Sequence, residues 1–235
     1  MDIHKPKPWH GWREFLKEYL IIVVGVLTAL AAEQAVEWVH RQEAVGEARR
    51  ALNEEAGSNI AVFRAMAEQD ACIQKRLDEL ERWRAAKVDG KPLHLTGEIA
   101  HPMGINLRTS VWRVTAAAAA TQMPYEDRVR YARLYDAFDN NNTIRRERGE
   151  AWAEISPYLR AKRLSDDQLI RLDSVLERAR ATSESLHRNW ANVSRFAKDA
   201  GVTPVDAARA QSLARESAAS LCRPMLRPVS PAHSR

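Results

Sequence analysis

The sequence predicts an all-α protein, with one N-terminal transmembrane helix continuing into an antiparallel helical bundle of about four or five helices. Three observations carry that prediction. Residues 19–32 form an apolar run without a single charge. Downstream, apolar residues recur at alternating spacings of three and four over two long stretches, the period of helices that pack on one another. Glycine is scarce, 9 in 235 residues, while 29% of the chain is charged, a balance that suits long helices and disfavours a β-rich fold. The expected organisation is a short cytoplasmic tail over residues 1–12 and a transmembrane helix with interfacial flanks over 13–38. A helical extracytoplasmic domain follows over 39–217, then a disordered tail over 218–235.

The charge-free run is shorter than the roughly 20 residues that cross the hydrocarbon at about 1.5 Å each. Its flanks extend it. Phe15 and Leu16 continue it upstream, where Lys17 can snorkel to the headgroups, and Ala35 and Val36 continue it downstream. Trp9, Trp12 and Tyr19 on one side and Trp38 on the other match interfacial aromatic belts. Glu33 and Glu37, one turn apart, mark the exit into water. Lys5, Lys7, Arg13 and Lys17 precede the run, whereas Arg41 alone follows it before Arg49 and Arg50. That bias puts the N-terminus in the cytoplasm. Two other readings stay open: a cleaved signal peptide, with an A-x-A site at residues 29–31, and a buried helix of a soluble core. The strong helix formers of residues 33–39 speak against the first, and the amphipathic remainder of the chain against the second. Within the run, Gly25, Ala29 and Ala32 form a stripe of small residues suited to helix association.

No proline occurs between Glu33 and Ala86, so a long helix is expected to leave the membrane, with a kink near Gly57. Phe63, Met66, Ile73, Leu77 and Leu80 form a heptad-like, coiled-coil stripe, with Asp70 on the same seam. Asp89, Gly90 and Pro92 end it. An irregular segment then reaches about Asn106, with Gly97, Pro102 and Gly104 along it, and long loops of this kind often carry function. Thr109 or Ser110 can cap a helix through Val111, Trp112, Val114 and the alanines of residues 116–120, whose small side chains allow close packing. Pro124 suits the first turn of the next helix, with Tyr125, Val129, Ala132, Tyr135 and Phe138 as its apolar face. A polar patch at residues 139–142 is expected to kink or interrupt it. Ile144, Trp152, Ile155 and Leu159 resume a helical face, which Pro157 weakens near the end.

Ser165 and Gln168 form a capping box. The helix it opens carries Leu169, Leu172, Leu176, Ala179, Ser183, Leu186, Trp190, Val193 and Ala197 at unbroken three–four spacing, a seam for another helix. Gly201 ends it, and Pro204 with Asp206 starts a short last helix to about Ser217. Pro224, Pro228 and Pro231 mark the tail.

Net charge is +5, but Arg and Glu are interleaved, as in residues 145–150, which reads as a solvated face rather than the basic stripe of a nucleic-acid binder. No nucleophile elbow, phosphate loop or metal-spaced His/Glu pair is present, so neither catalysis nor a cofactor nor a metal is expected. His94 and His101 lie in the irregular segment with six residues between them, which matches no recognised metal spacing. With Trp112 they are candidates for a pocket or a partner contact. Cys72 and Cys222 are the only cysteines. In an oxidising compartment they form a candidate disulfide, and otherwise they are two unrelated thiols.

Residues 18–34 (EYLIIVVGVLTALAAEQ) carry an acidic residue before the span and an I-x-x-G-x-L-x-A-L pattern within it. A second block has Thr109-Ser110-Val111-Trp112, a small-residue run, and Met123-Pro124-Tyr125 before an aromatic-rich helix. Both resemble a family of uncharacterised single-span bacterial membrane proteins with a helical extracytoplasmic region. In relatives the small-residue run often contains glycine, whereas here residues 116–120 are all alanine. The resemblance implies a single-pass protein of the bacterial inner membrane with its bulk in the periplasm, and no activity. The expected function is a non-enzymatic interaction or scaffold module. Its partner would be the membrane and a second copy or another membrane or periplasmic protein. The alternative is a periplasmic small-molecule-binding sensor, with residues 87–106 and Trp112 lining a pocket.

Overall fold

Phe63, Met66, Ile73, Leu77 and Leu80 are all buried, and Asp70 is half-buried between them, but they belong to two helices rather than one. In a computed structural model, which describes residues 11–90, 93–96, 100–205 and 208–226, α1 spans Trp12–Ala67 and α2 spans Asp70–Val88. The expectations for residues 1–10 (Lys5, Lys7 and Trp9 among them), Pro92, Gly97, Asp206, Pro228 and Pro231 lie outside the described residues, as do those for the side chains of residues 117–120.

The break falls at Glu68 and Gln69, not at Gly57. Gln69 is buried, and its side-chain oxygen accepts from the Met103 amide and the Ser217 hydroxyl, each at 3.1 Å. Gly57 stays helical for a different reason. A Cβ there would stand 2.5 Å from the Thr203 carbonyl oxygen, so the glycine admits the backbone of residues 203–205, where the Val205 amide donates to the Gly57 carbonyl at 3.3 Å.

The chain divides into two units, residues 1–48 and 49–235. In the first, the apolar window of α1 has a mean hydropathy of 2.0 and is 0% buried. Trp12, Tyr19, Ile21, Ile22, Leu27 and Trp38 are all exposed. The buried-core-helix reading therefore falls, and a long apolar helix that suits a membrane span or a signal sequence remains. Thr28 donates its hydroxyl to the Val24 carbonyl at 2.7 Å, which pairs that group within the helix.

The second unit is all-helical among its described residues. After α2 come α3 (Ser110–Gln122), α4 (Tyr125–Arg160), α5 (Asp166–Asp199) and α6 (Ala208–Leu221). Side-chain pairs set the directions. Arg84 meets Asp173 and Asp70 meets His187, so α2 and α5 are antiparallel. Asn189 donates to the Ala137 carbonyl and Arg178 meets Glu154, so α4 and α5 are antiparallel too. By contrast, α4 runs parallel to the second part of α1. Asn53 accepts from the Tyr131 hydroxyl, Leu52 from Tyr135, and Met66 meets Arg145. This parallel pair exists because the segment after α2 carries the chain back along α1 before α4 begins.

The central core is Ile73, Leu77, Leu80 and Trp83 of α2, Trp152 and Ile155 of α4, and Leu172, Leu176 and Ala179 of α5. Of the expected α5 seam, Leu172, Leu176, Ala179, Ser183, Leu186, Val193 and Ala197 are buried, and Leu169 and Trp190 are half-buried. Its capping box is complete: the Ser165 amide donates to Gln168 at 2.9 Å and the Gln168 amide to the Ser165 hydroxyl at 3.3 Å. Gly201 at φ +69° closes the helix, with Val202 donating to Ala197 at 2.9 Å.

Three expectations change. The polar patch at residues 139–142 does not interrupt α4, which runs 36 residues and contains Pro157. Tyr125 is solvent-exposed rather than part of an apolar face. Order also extends past residue 218. α6 continues to Leu221, and the segment after it is tied down: Met225 is buried, Leu226 bridges to Leu95, and the Thr96 amide donates to the Met225 carbonyl at 2.7 Å. Buried Arg76 donates to the Leu221 carbonyl at 2.9 Å, and Glu79 accepts from the Met225 amide at 3.1 Å.

Candidate functional site: an arginine-lined cleft beside an extended strap

From Met103 on, the irregular segment is a strap laid antiparallel along the second part of α1. Its residues descend the rod as their numbers rise: Met103 bonds Gln69, Ile105 meets Met66, Arg108 bonds Asn59, and Ser110 and Val111 bond Glu55. An extended backbone cannot pair with a helix, so side chains must satisfy its amides and carbonyls. Two asparagines do so by the same device. Asn59 of α1 accepts from the Arg108 amide at 2.8 Å and donates to its carbonyl. Asn142 of α4 accepts from the Leu107 amide at 2.8 Å and donates to its carbonyl at 2.9 Å. Glu55 then caps α3, accepting from the Ser110 hydroxyl at 2.9 Å and the Val111 amide at 3.1 Å. The polar patch that would break a helix in isolation thus serves the strap from within one.

Between the strap and α4 lies a cleft of about 670 Å³. Its walls carry Arg108, Arg113, Arg145, Arg146 and Arg148, and among the described residues that line it none is Asp or Glu. Arg145 and Arg148 are only 8% and 6% exposed. Arg145 donates to the Asn106 side chain at 2.8 Å and points another nitrogen at the Met66 sulfur. Arg148 donates to the Met103 carbonyl at 3.3 Å. Among the described residues no carboxylate comes within 4.0 Å of either guanidinium. Burial pushes both groups down to about 10; the neighbouring Arg148 charge adds to the effect at Arg145, while Asp70 opposes it at Arg148. Both remain charged at neutral pH.

A further feature leaves room in the cleft for a guest: Gly149 lines it, and a Cβ added there would meet nothing within 4 Å. Behind the two guanidiniums a void of about 20 Å³ touches Asp70 and Asn141, whose amide nitrogen and oxygen are both unpaired, which is room for one bridging water.

The structure treats the other candidates differently. Cys72 and Cys222 form a disulfide, with Cα atoms 4.8 Å apart. Trp112 is half-buried, stacks on Tyr135 with ring centroids 5.3 Å apart, and is not on the cleft wall. His101 lies 3.3 Å from the Ser156 hydroxyl and 6.2 Å from the Trp152 ring, and both it and His94 are exposed. The two histidines are not joined in one site. Gly25, Ala29 and Ala32 are exposed along their stripe.

Arg145 and Arg148 were hidden in what reads as a run of solvated charges. A signal for them exists. Tyr131, Leu134, Phe138, Asn141, Arg145, Arg148, Trp152 and Ile155 alternate three and four without a miss, and all are buried. Two arginines on the inward seam of a helix need a partner. Comparison of the chain with protein-family models, curated proteins and solved structures finds no match.

Proposed function

We propose that the chain is a single-pass membrane protein of the bacterial inner membrane, with its N-terminus in the cytoplasm. Its helical unit, in the periplasm, is a non-enzymatic binding module. One observation carries the reading: a charge-free apolar run of helix that none of the described residues covers. The disulfide supports an oxidising compartment for the second unit, because such bonds are rare where thiols are kept reduced. The unbroken helix through residues 29–31 supports a retained anchor over a cleaved leader, since a signal protease needs an extended substrate. The exposed small-residue stripe supports association with a second copy or another membrane protein. Crosslinking in membranes tests this: trapping of a dimer or a discrete partner is expected, and purely monomeric recovery at native abundance contradicts it.

A second reading, a small-molecule-binding domain, is favoured by the cleft. The strap forms one wall of it as that reading expects, but the lining is cationic rather than apolar, and Trp112 lies elsewhere.

A further inference from the structure

Burying a charge is costly unless it is paired, and the usual outcomes are an ion partner or neutralisation. Among the described residues neither Arg145 nor Arg148 has a carboxylate within 4.0 Å, and Asp70, which shares a small void with them, pairs with His187. The two arginines stand three residues apart on one helix, so their charges repel in a site largely removed from water. Arg146 and Arg113 add charge at the exposed part of the cleft, where Asp139 lies 3.7 Å from Arg113. Arginine offers donors only. The open groups around this cavity therefore call for acceptors and negative charge. The strap contacts alone do not account for two charged side chains here, because a neutral donor satisfies a carbonyl such as that of Met103 at a smaller desolvation cost.

We propose that the cleft binds a small, multiply charged oxyanion, a phosphate ester or a polycarboxylate, on the guanidinium groups of Arg145 and Arg148. Planar guanidinium forks match both anion types, and the cleft volume of about 670 Å³ accommodates a small organic molecule rather than a lone ion. Arg146 and Arg113 draw the anion in, and Gly149 leaves the space it occupies.

The inference rests on the small-molecule reading and is independent of the membrane anchor. Its test is calorimetric titration of the full chain in maltoside detergent at fixed ionic strength. Pyrophosphate and citrate are the anionic probes, with glucose and spermidine as neutral and cationic ones. Saturable binding of at least one anion is expected, and none of glucose or spermidine. Arg145→Gln and Arg148→Gln should each weaken it about tenfold or more, the loss of one charge-assisted bond. Gly149→Met, which fills the cleft and leaves every charge in place, should abolish it, and Arg188→Gln, outside the cleft, should change nothing. Retained binding in the Arg145, Arg148 and Gly149 variants overturns the site. Binding of glucose or spermidine but no anion, lost in Gly149→Met, keeps a ligand cleft and overturns the anion. No binding of any probe overturns both. A response only after phosphatidylglycerol is added assigns the chemistry to a lipid headgroup and overturns the soluble ligand.

Discussion

A methyl group at position 57 sets two effects against each other. In a helix interior, replacing glycine by alanine gains about 1 kcal/mol. Here the new Cβ would stand 2.5 Å from the Thr203 carbonyl, a backbone atom that cannot swing aside. Overpacking of that kind costs about 1–3 kcal/mol, so Gly57→Ala should lower stability in urea unfolding, and a gain would contradict the close approach. Arg145 shows the opposite trade. Arg145→Met removes a buried charge with no carboxylate beside it and should raise the stability of the ligand-free chain by about 1 kcal/mol or more, while removing the stabilisation that an anion confers. A simple structural role for Arg145 predicts a fall in melting temperature instead.

At the scale of elements, the strap is held by side chains rather than by a ladder, so single substitutions should loosen it locally. Asn142→Ala leaves the amide and carbonyl of buried Leu107 unpaired, and each costs about 1–3 kcal/mol. The Leu107 amide should then exchange hydrogen much faster than amides of the α5 seam, and equal protection would contradict the clamp. The helices themselves were legible in the sequence, because the three–four spacing of α5 and the Ser165 box are local signals. The strap was not. Its partners Asn59, Gln69 and Asn142 lie about 35 to 50 residues from the backbone they bind, and nothing local marks an asparagine as a clamp. The same distance explains the misplaced break. Gly57 carries the local signature of a kink, but the helix ends at Ala67 and the break holds Gln69, whose burial against Met103 and Ser217 is a tertiary fact. Arg145 and Arg148 were obscured by Arg146, Glu147 and Glu150 between and beside them. Only the extended seam from Tyr131 to Ile155 separates inward from outward charges.

At the scale of the molecule, the disulfide between Cys72 and Cys222 ties α2 to the end of α6 and spans 150 residues. The chain-entropy model gives such a loop about 5 kcal/mol, less where the reduced chain keeps structure. Reduction should therefore move the urea midpoint of the second unit clearly downward, and an unchanged midpoint would mean that Arg76, Glu79 and Thr96 hold residues 221–226 without it. The same bond and the apolar helix meet in one decisive experiment, the intact mass of the protein recovered from carbonate-washed membranes without reductant. The account predicts a full-length mass in the membrane pellet, lowered by two hydrogens. A soluble species beginning near Ala32, or a membrane species with both thiols free, would contradict an anchored domain folded in an oxidising compartment.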